Sequence, residues 1–349
     1  MNKDSNSRYN RIKEFLLKPN FNGFTKDDLF IMAIIKKGWG QDIAALSNMA
    51  ESITNIHIRN IDLRDECESL MREILRRAVH PKVNPYKRKL TTVGELGKFG
   101  YYLEHLNISI GAYRRIISDN KYTELNKKIS LHLLKNSNSY SHFHADLLPH
   151  VNMKWSADQA AILYSLWLYD KNSNSNISFN LIENWLDYMH KKGTHKETGL
   201  FITEVLGTRK YSKQPRGCAL SYLSHYMGKF SPENAKIQWE KFKDNMMNEV
   251  LGRVAFREYL SDYKGKWSPD SGPIILGNGV AATGLALNAA STIGDVDTFN
   301  ALQKTMNPFG SLFKGAEKIM GSNVLTKMAT DTLASASWLN AETKQKWYK

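Results

Sequence analysis

One apolar-periodic segment after another runs along this 349-residue chain, and sustained period-two alternation is all but absent. That pattern confines the chain to folds built of helices, since a helical face repeats every 3.6 residues and a half-buried strand every two. The periodicity predicts helices over 64–79, 92–117, 122–136, 156–170, 179–192, 218–230, 232–251, 280–292 and 297–306, with further candidates in 313–339. Ser231-Pro232 is a helix start, with Ser as the cap and Pro at the first helical position. The polar stretches 135–142 and 170–176 are expected to be loops within one helical texture. No solenoid consensus repeats. The expected fold class is all-α, an array of helical hairpins.

Composition narrows the function classes. Hydrophobic residues make up 42% of the chain and aromatics 11%, enough for a substantial core. The net charge of +14 favours an acidic partner or substrate only if it is clustered. The basic pairs and triplets, Lys36-Lys37, Arg76-Arg77, Lys87-Arg88-Lys89 and Arg114-Arg115, are scattered, and no zinc-finger, RNP or basic-zipper pattern occurs. Nucleic acid is therefore not the expected partner. Cys67 and Cys218 make neither a disulfide framework nor a zinc module. No early apolar run is long enough for a secretory signal or a membrane span, which points to a cytoplasmic protein. A homo-oligomer is allowed.

The segment SPDSGPIILGNGVAATGLALNAASTIGD, residues 268–295, contains a G-x-G-x-x-A pattern from Gly277 to Ala282, and Asp295 follows. A dinucleotide fingerprint needs a strand before it and a second strand after it. Both are missing, and Asp295 falls in a turn between two helical patterns. The small residues Gly279, Ala282, Gly284, Ala286, Ala289 and Ala290 instead predict a buried helix with close neighbours on several sides.

Several side chains are candidates for chemistry, each with a plainer alternative. Trp155 and Asp158 lie three apart at a helix start, an aromatic wall beside a carboxylate whose pKa it can raise; Asp158 also suits the helix dipole alone. Tyr101 and Tyr102 precede His105 by four and three residues, and a phenol near an imidazole can move protons; a buried core histidine fits as well. Arg216 and Cys218 flank Gly217 at a helix start, where dipole and guanidinium can lower a thiol pKa; free cysteine is also a small hydrophobe. Arg257, Glu258 and Asp270 bracket a loop with Tyr259, Tyr263 and Trp267, which reads as a cavity rim with Asp270 as acid or base, or as an ion pair holding the loop down. His142, His144 and His150 could bind a metal, but in a polar loop no metal is expected.

Four segments together, 101–114, 154–170, 198–227 and 256–295, resemble the linalool dehydratase/isomerase-like group of α/α-toroid proteins in order and spacing. The resemblance covers about residues 90–300. It implies an (α/α) toroid of inner and outer helices with a site at one mouth, residues 61–349 forming the ring and 1–60 either an N-terminal helical arm or its first hairpins. It further implies a cofactor-independent lyase or isomerase acting on a largely apolar, terpenoid-like alcohol or alkene. That group uses acid/base residues and cysteines, and Cys218 is the only cysteine here within a resembling motif.

On this reading Asp158 and Asp270 transfer protons, with Tyr102, His105 and Cys218 taking part. Trp155, Tyr101, Arg216, Arg257, Glu258 and Trp267 hold the small-molecule substrate. Related toroids also cleave sugars, so a carbohydrate-active hydrolase or lyase is the first alternative. A non-enzymatic protein that binds an anionic partner is the second.

Overall fold

The computed structural model describes residues 3–29, 40–144, 147, 154–205, 214–250, 252–263, 265–266, 268–306 and 331–348. Among them are twelve α-helices and two short hairpins. The chain divides into two compact units. The first comprises Met1–Asn152, Ser165–Leu181 and Thr330–Lys349, and the second Met153–Tyr164 and Ile182–Ala329.

The first unit contains α1 (Lys3–Leu17), α2 (Gln41–Arg59), α3 (Arg64–Ala78), α4 (Gly100–Ile116), α5 (Thr123–Ser139) and α12 (Thr332–Thr343), with the second half of α6 (Ser156–Ser173). Helix α2 is its hub and packs on α12, α4 and α3. It is buried almost continuously from Ile43 to Ile56. A helix enclosed on all sides must pair its polar groups internally. Asn340 of α12 donates to Glu51 Oε2 at 2.9 Å, and Asn55 Nδ2 donates to Asn340 Oδ1 at 3.1 Å. Ser5 and Arg8 of α1 both bond Glu342, at 3.0 and 2.8 Å, so residues near the two ends of the chain pack together in this unit.

The second unit contains the first half of α6, α7 (Phe179–Lys192) from Ile182 onward, α8 (Gly217–Phe230), α9 (Pro232–Met246), α10 (Val280–Ile293) and α11 (Val296–Met306). Its hairpins are β1 (Met247–Val250) with β2 (Arg253–Phe256), and β3 (Ile274–Ile275) with β4 (Asn278–Gly279), both antiparallel. Trp239, Phe242 and Phe256 form a buried aromatic cluster, the two phenylalanine rings stacked 4.5 Å apart. Helices α8 and α10 make the main contact of the unit. Small residues permit it: a Cβ on Gly217 would lie 2.8 Å from the Ala282 Cβ, and one on Gly228 2.8 Å from Thr292.

Several boundaries differ from expectation. Helix α4 begins at Gly100, because 92–99 is taken up by a 3₁₀ turn and loop. Helix α5 continues to Ser139 and α6 to Ser173, so both polar stretches begin as helix. Helix α9 stops at Met246, and 247–250 leaves it to pair with β2. Ser231 precedes Pro232 at the start of α9 but does not cap it; its hydroxyl accepts from Asn234. Much of the candidate span 313–339 lies outside the described residues. Among those residues no helix is long and apolar enough to cross a membrane.

Candidate functional site

The G-x-G-x-x-A segment is a hairpin followed by a helix. Leu276 and Gly277 occupy the two central turn positions, with φ of 51° and 82°. Positive φ at both is the signature of a type I′ turn, which suits the strand twist and favours glycine. Gly279 then leads into α10, and a Cβ there would meet Glu258 Oε2 at 2.6 Å. Asp295, placed where a ribose-binding acid would be looked for, caps α11 by accepting from the Thr298 N–H at 3.1 Å. It also takes Trp239 Nε1 and Lys243 Nζ, each at 2.8 Å. Burial pushes its carboxyl up, but Lys243, Trp239 and Thr298 outweigh that and hold it at about 2. Helix α10 is the expected small-residue helix, with Ala282, Ala286, Ala289 and Ala290 fully enclosed.

Around this hairpin the second unit collects charged side chains from four elements. Asp158 stands in the first turn of α6. The start of that helix is pinned: Ser156 Oγ donates to the Ile202 carbonyl at 2.7 Å, Val205 N–H donates to Lys154 O at 3.0 Å, and Trp155 Nε1 donates to Glu204 at 3.1 Å. Arg216 and Cys218 come from the start of α8, and Glu258 from just after β2. Asp270 rides on a turn closed by Gly272 N–H to Ser268 O at 3.0 Å and by Ser268 N–H to Ser271 Oγ at 2.9 Å.

Glu258 is completely buried and fully engaged. Arg216 places Nε and Nη2 on its Oε1, each at 2.9 Å. The Cys218 N–H reaches Oε2 at 3.2 Å and the thiol Oε1 at 3.1 Å. Nη2 of Arg216 also donates to Ser268 Oγ at 2.8 Å, and the guanidinium lies over the Tyr259 ring, 5.5 Å from its centroid. Gly217 allows the close approach: its N–H donates to Glu258 O at 2.9 Å, and a Cβ would fall 2.0 Å from the Arg257 carbonyl oxygen.

The two aspartates are placed differently. Among the described residues no side chain pairs with either. Asp158 is half-buried. Withdrawal from water and the charge of Asp270 push its carboxyl up to about 7. Asp270 keeps an exposed side. The surrounding protein raises its carboxyl as well, while Arg216 opposes the shift. Its open side keeps water at hand to stabilise the charge, so Asp270 ionises before Asp158. A neutral acid and a carboxylate that share one site can donate and accept a proton in one event.

The expected thiol activation is reversed. Burial and Glu258 push Cys218 well above the ordinary thiol value, although Arg216 pulls the other way. Glu258 pairs with Arg216, while Arg257 pairs its backbone with Met246 and lays its guanidinium along Gly277. Trp267 and His150 lie outside the described residues.

Tyr101, Tyr102 and His105 belong to the first unit. The Tyr102 hydroxyl donates to the Ala78 carbonyl at 2.9 Å, and the Tyr101 ring lies against Gly40. His105 is completely enclosed, and burial lowers its imidazole to about 3, so it is neutral. His144, packed over Gly100, is lowered to about 3 for the same reason. Among the described residues no three His, Cys, Asp or Glu converge to hold a metal. Glu204 and Ser268 escaped sequence reasoning; the aromatic-acid-serine texture around them carries no spacing signal.

No protein-family model and no curated protein matches the chain. Solved structures do. An inactive variant of the α-1,6-mannanase GH76A of Salegentibacter, with two adjacent aspartates replaced by alanine and α-1,6-mannotetrose bound, is 10% identical with TM-score 0.55 over 98% of this chain and 99% of that one. A family 76 glycoside hydrolase from a bovine Bacteroides thetaiotaomicron strain is 10% identical with TM-score 0.57, over 97% of this chain and 76% of that one. An α-amylase from Clostridium perfringens is 13% identical with TM-score 0.51, over 86% and 85%.

The likeness establishes the all-α toroid fold class. It is a likeness to glycoside hydrolases, and these structures do not support the resemblance to the linalool dehydratase/isomerase-like group. Asp27-Asp28 is the chain's one adjacent aspartate pair. Asp28 there serves a turn, accepting from Thr25 N–H at 2.9 Å and Lys18 at 2.9 Å.

Proposed function

We propose that this protein hydrolyses an α-linked glycan, with Asp158 as proton donor and Asp270 as its carboxylate partner. The observation that carries the reading is the pair itself: two carboxyls on separate elements, each without a salt-bridge partner among the described residues, one pushed up to about 7 so that it keeps its proton in acid to near-neutral water. Glycoside hydrolysis asks for that asymmetry. A protonated acid gives its proton to the leaving oxygen, and an ionised carboxylate either attacks the anomeric carbon or activates water on the far face. Trp155, fixed by Glu204, and Tyr259, fixed through its hydroxyl to the Lys266 carbonyl at 2.8 Å, supply aromatic faces that suit sugar rings. The α-1,6-mannotetrose bound to the similar mannanase supports the linkage class.

The apolar-alcohol reading has less support. Its thiol partner, Cys218, is held in the unreactive protonated form, and the groups around Asp270 are charged or polar.

The test is release of reducing ends from α-mannan and α-glucan oligosaccharides. Asp158→Asn and Asp270→Asn should each lower kcat/KM by about 10²–10⁴-fold, the worth of positioned acid/base catalysis. The wild-type rate should fall as pH rises through about 7, where Asp158 loses its proton. Undiminished turnover by the folded Asp158→Asn variant would sink the assignment.

A further inference from the structure

Resting on that reading, we propose that Arg216 is a positioning residue that divides the two aspartates into acid and base, by gripping the turn that carries Asp270 and keeping its carboxylate charged. The fork of Arg216 is buried and reaches two places at once. Nε and Nη2 are anchored on Glu258, and Nη2 also holds Ser268 Oγ, the first residue of the Asp270 turn. A guanidinium suits this because its donors are fixed in one plane; a lysine keeps the charge and loses the fork.

Glu258 cannot swing away. Its oxygens are taken by Arg216 and by the Cys218 N–H and thiol, and the missing Cβ of Gly279 makes room for Oε2. The turn is seated from the other side by Ala281 N–H on Ser271 O at 3.1 Å, at the start of α10.

The charges around Asp270 come from each packed element. Arg216 of α8 favours its ionisation, and Asp158 of α6, itself raised by the charge of Asp270, stays protonated while Asp270 ionises. Cys218 stays a neutral thiol, and Tyr259 stays a neutral phenol raised by burial. Glu258 spends its charge on Arg216. Arg216 is thus the one cation facing Asp270 among the described residues. Without it the preference for ionising Asp270 would rest on its solvent-exposed side alone, and the two carboxyls would compete more evenly for one proton.

The experiment is a carboxyl ¹³C NMR titration of the full chain labelled at aspartate, assigned with Asp270→Asn, alongside pH profiles of kcat/KM. In Arg216→Gln the Asp270 midpoint should rise by about one to three pH units, as expected for losing a nearby opposite charge, and the acid limb of the rate profile should follow it. Arg216→Lys should restore the midpoint but not the wild-type kcat. Ser268→Ala, a mild change that covers the case of a misfolded Gln variant, should leave the midpoint in place and loosen the turn, read as lower ¹⁵N order parameters over 268–272.

An Asp270 midpoint unmoved in Arg216→Gln, or moved equally in Arg216→Lys, overturns the inference, as does an unchanged turn in Ser268→Ala. If the wild type cleaves no glycan, the hydrolase reading fails by itself, and the titration still decides the role of Arg216.

Discussion

In its proposed role as proton donor, Asp158 sets catalysis against stability. Its carboxyl is raised from 3.8 to about 7 in the folded chain, burial first and Asp270 second. Below about pH 4 the group is protonated in both folded and unfolded states and contributes nothing. Between there and about 7 the unfolded chain releases the proton while the folded chain keeps it, so stability falls as pH rises; above 7 the full penalty stands. Asp158→Asn should therefore melt at a higher temperature than wild type at pH 8 and at the same temperature at pH 4. Equal midpoints at pH 8 would mean that the carboxyl is not raised.

Gly217 is a constraint of another kind. Its missing side chain admits the Arg257 carbonyl at 2.0 Å from the Cβ position, and backbone cannot step aside cheaply. Gly217→Ala should cost about 1–3 kcal/mol, the usual penalty of overpacking, measured by urea denaturation. The sequence marks Gly217 as a helix start and nothing more. The partner that makes it obligatory arrives much later in the chain, so no local pattern can announce it. Asp158, Asp270, Arg216, Cys218 and Glu258 were legible as chemistry-bearing types in unusual settings. Which of them pair was not, because the pairing is tertiary.

At the scale of elements, helices were legible because their signal is local. The expected 179–192 matches α7, and 280–292 falls one residue short of α10. Strands were not, since a four-residue strand such as Met247–Val250 has neither length nor alternation of apolar residues, and its stability comes from Arg253–Phe256 across the pair. The β3–β4 turn shows the same limit. Leu276 is 72% exposed and sits at φ 51°, a conformation that glycine or asparagine adopts more readily.

The turn sequence Leu-Gly thus departs from the Asn-Gly that a type I′ turn prefers. Leu276→Asn removes little buried surface and relieves the backbone, so it should stabilise the protein by about 1 kcal/mol, at the low end of what a strained φ costs. Thermal melting checks it. Loss of stability would show that the exposed leucine is held in place by a contact worth more than the strain.

For the whole molecule, identities of 10–13% with the solved glycoside hydrolases mean that the toroid is specified by helical pattern and packing, with few shared residues. That explains why a sequence reading reached the toroid through a resemblance to one group of such proteins while the structural neighbours belong to another. The pattern says how helices alternate and is silent on the bond being broken.

It is also silent on how distant segments meet. Asn340 lies on α12, yet its amide bonds Glu51 and Asn55 on α2, and Asn55 in turn accepts from Trp347 Nε1 at 2.6 Å. Glu51 is 1% exposed and Asn340 wholly enclosed, so this polar link fastens the last described helix to the hub of the first unit with no water to replace it. A buried acceptor that loses its donor bears the full desolvation cost.

Asn340→Ala should therefore destabilise the protein by about 1–3 kcal/mol, with more if Glu51 remains charged. Asn340→Leu should not rescue it, since shape is restored and the donor is not. Contacts that join residues almost a whole chain apart are expected to form late in folding, so the loss should appear mainly as faster unfolding. Stopped-flow urea jumps separate the two limbs. A variant that folds slowly and unfolds at the wild-type rate would place the α2–α12 link in the folding nucleus instead.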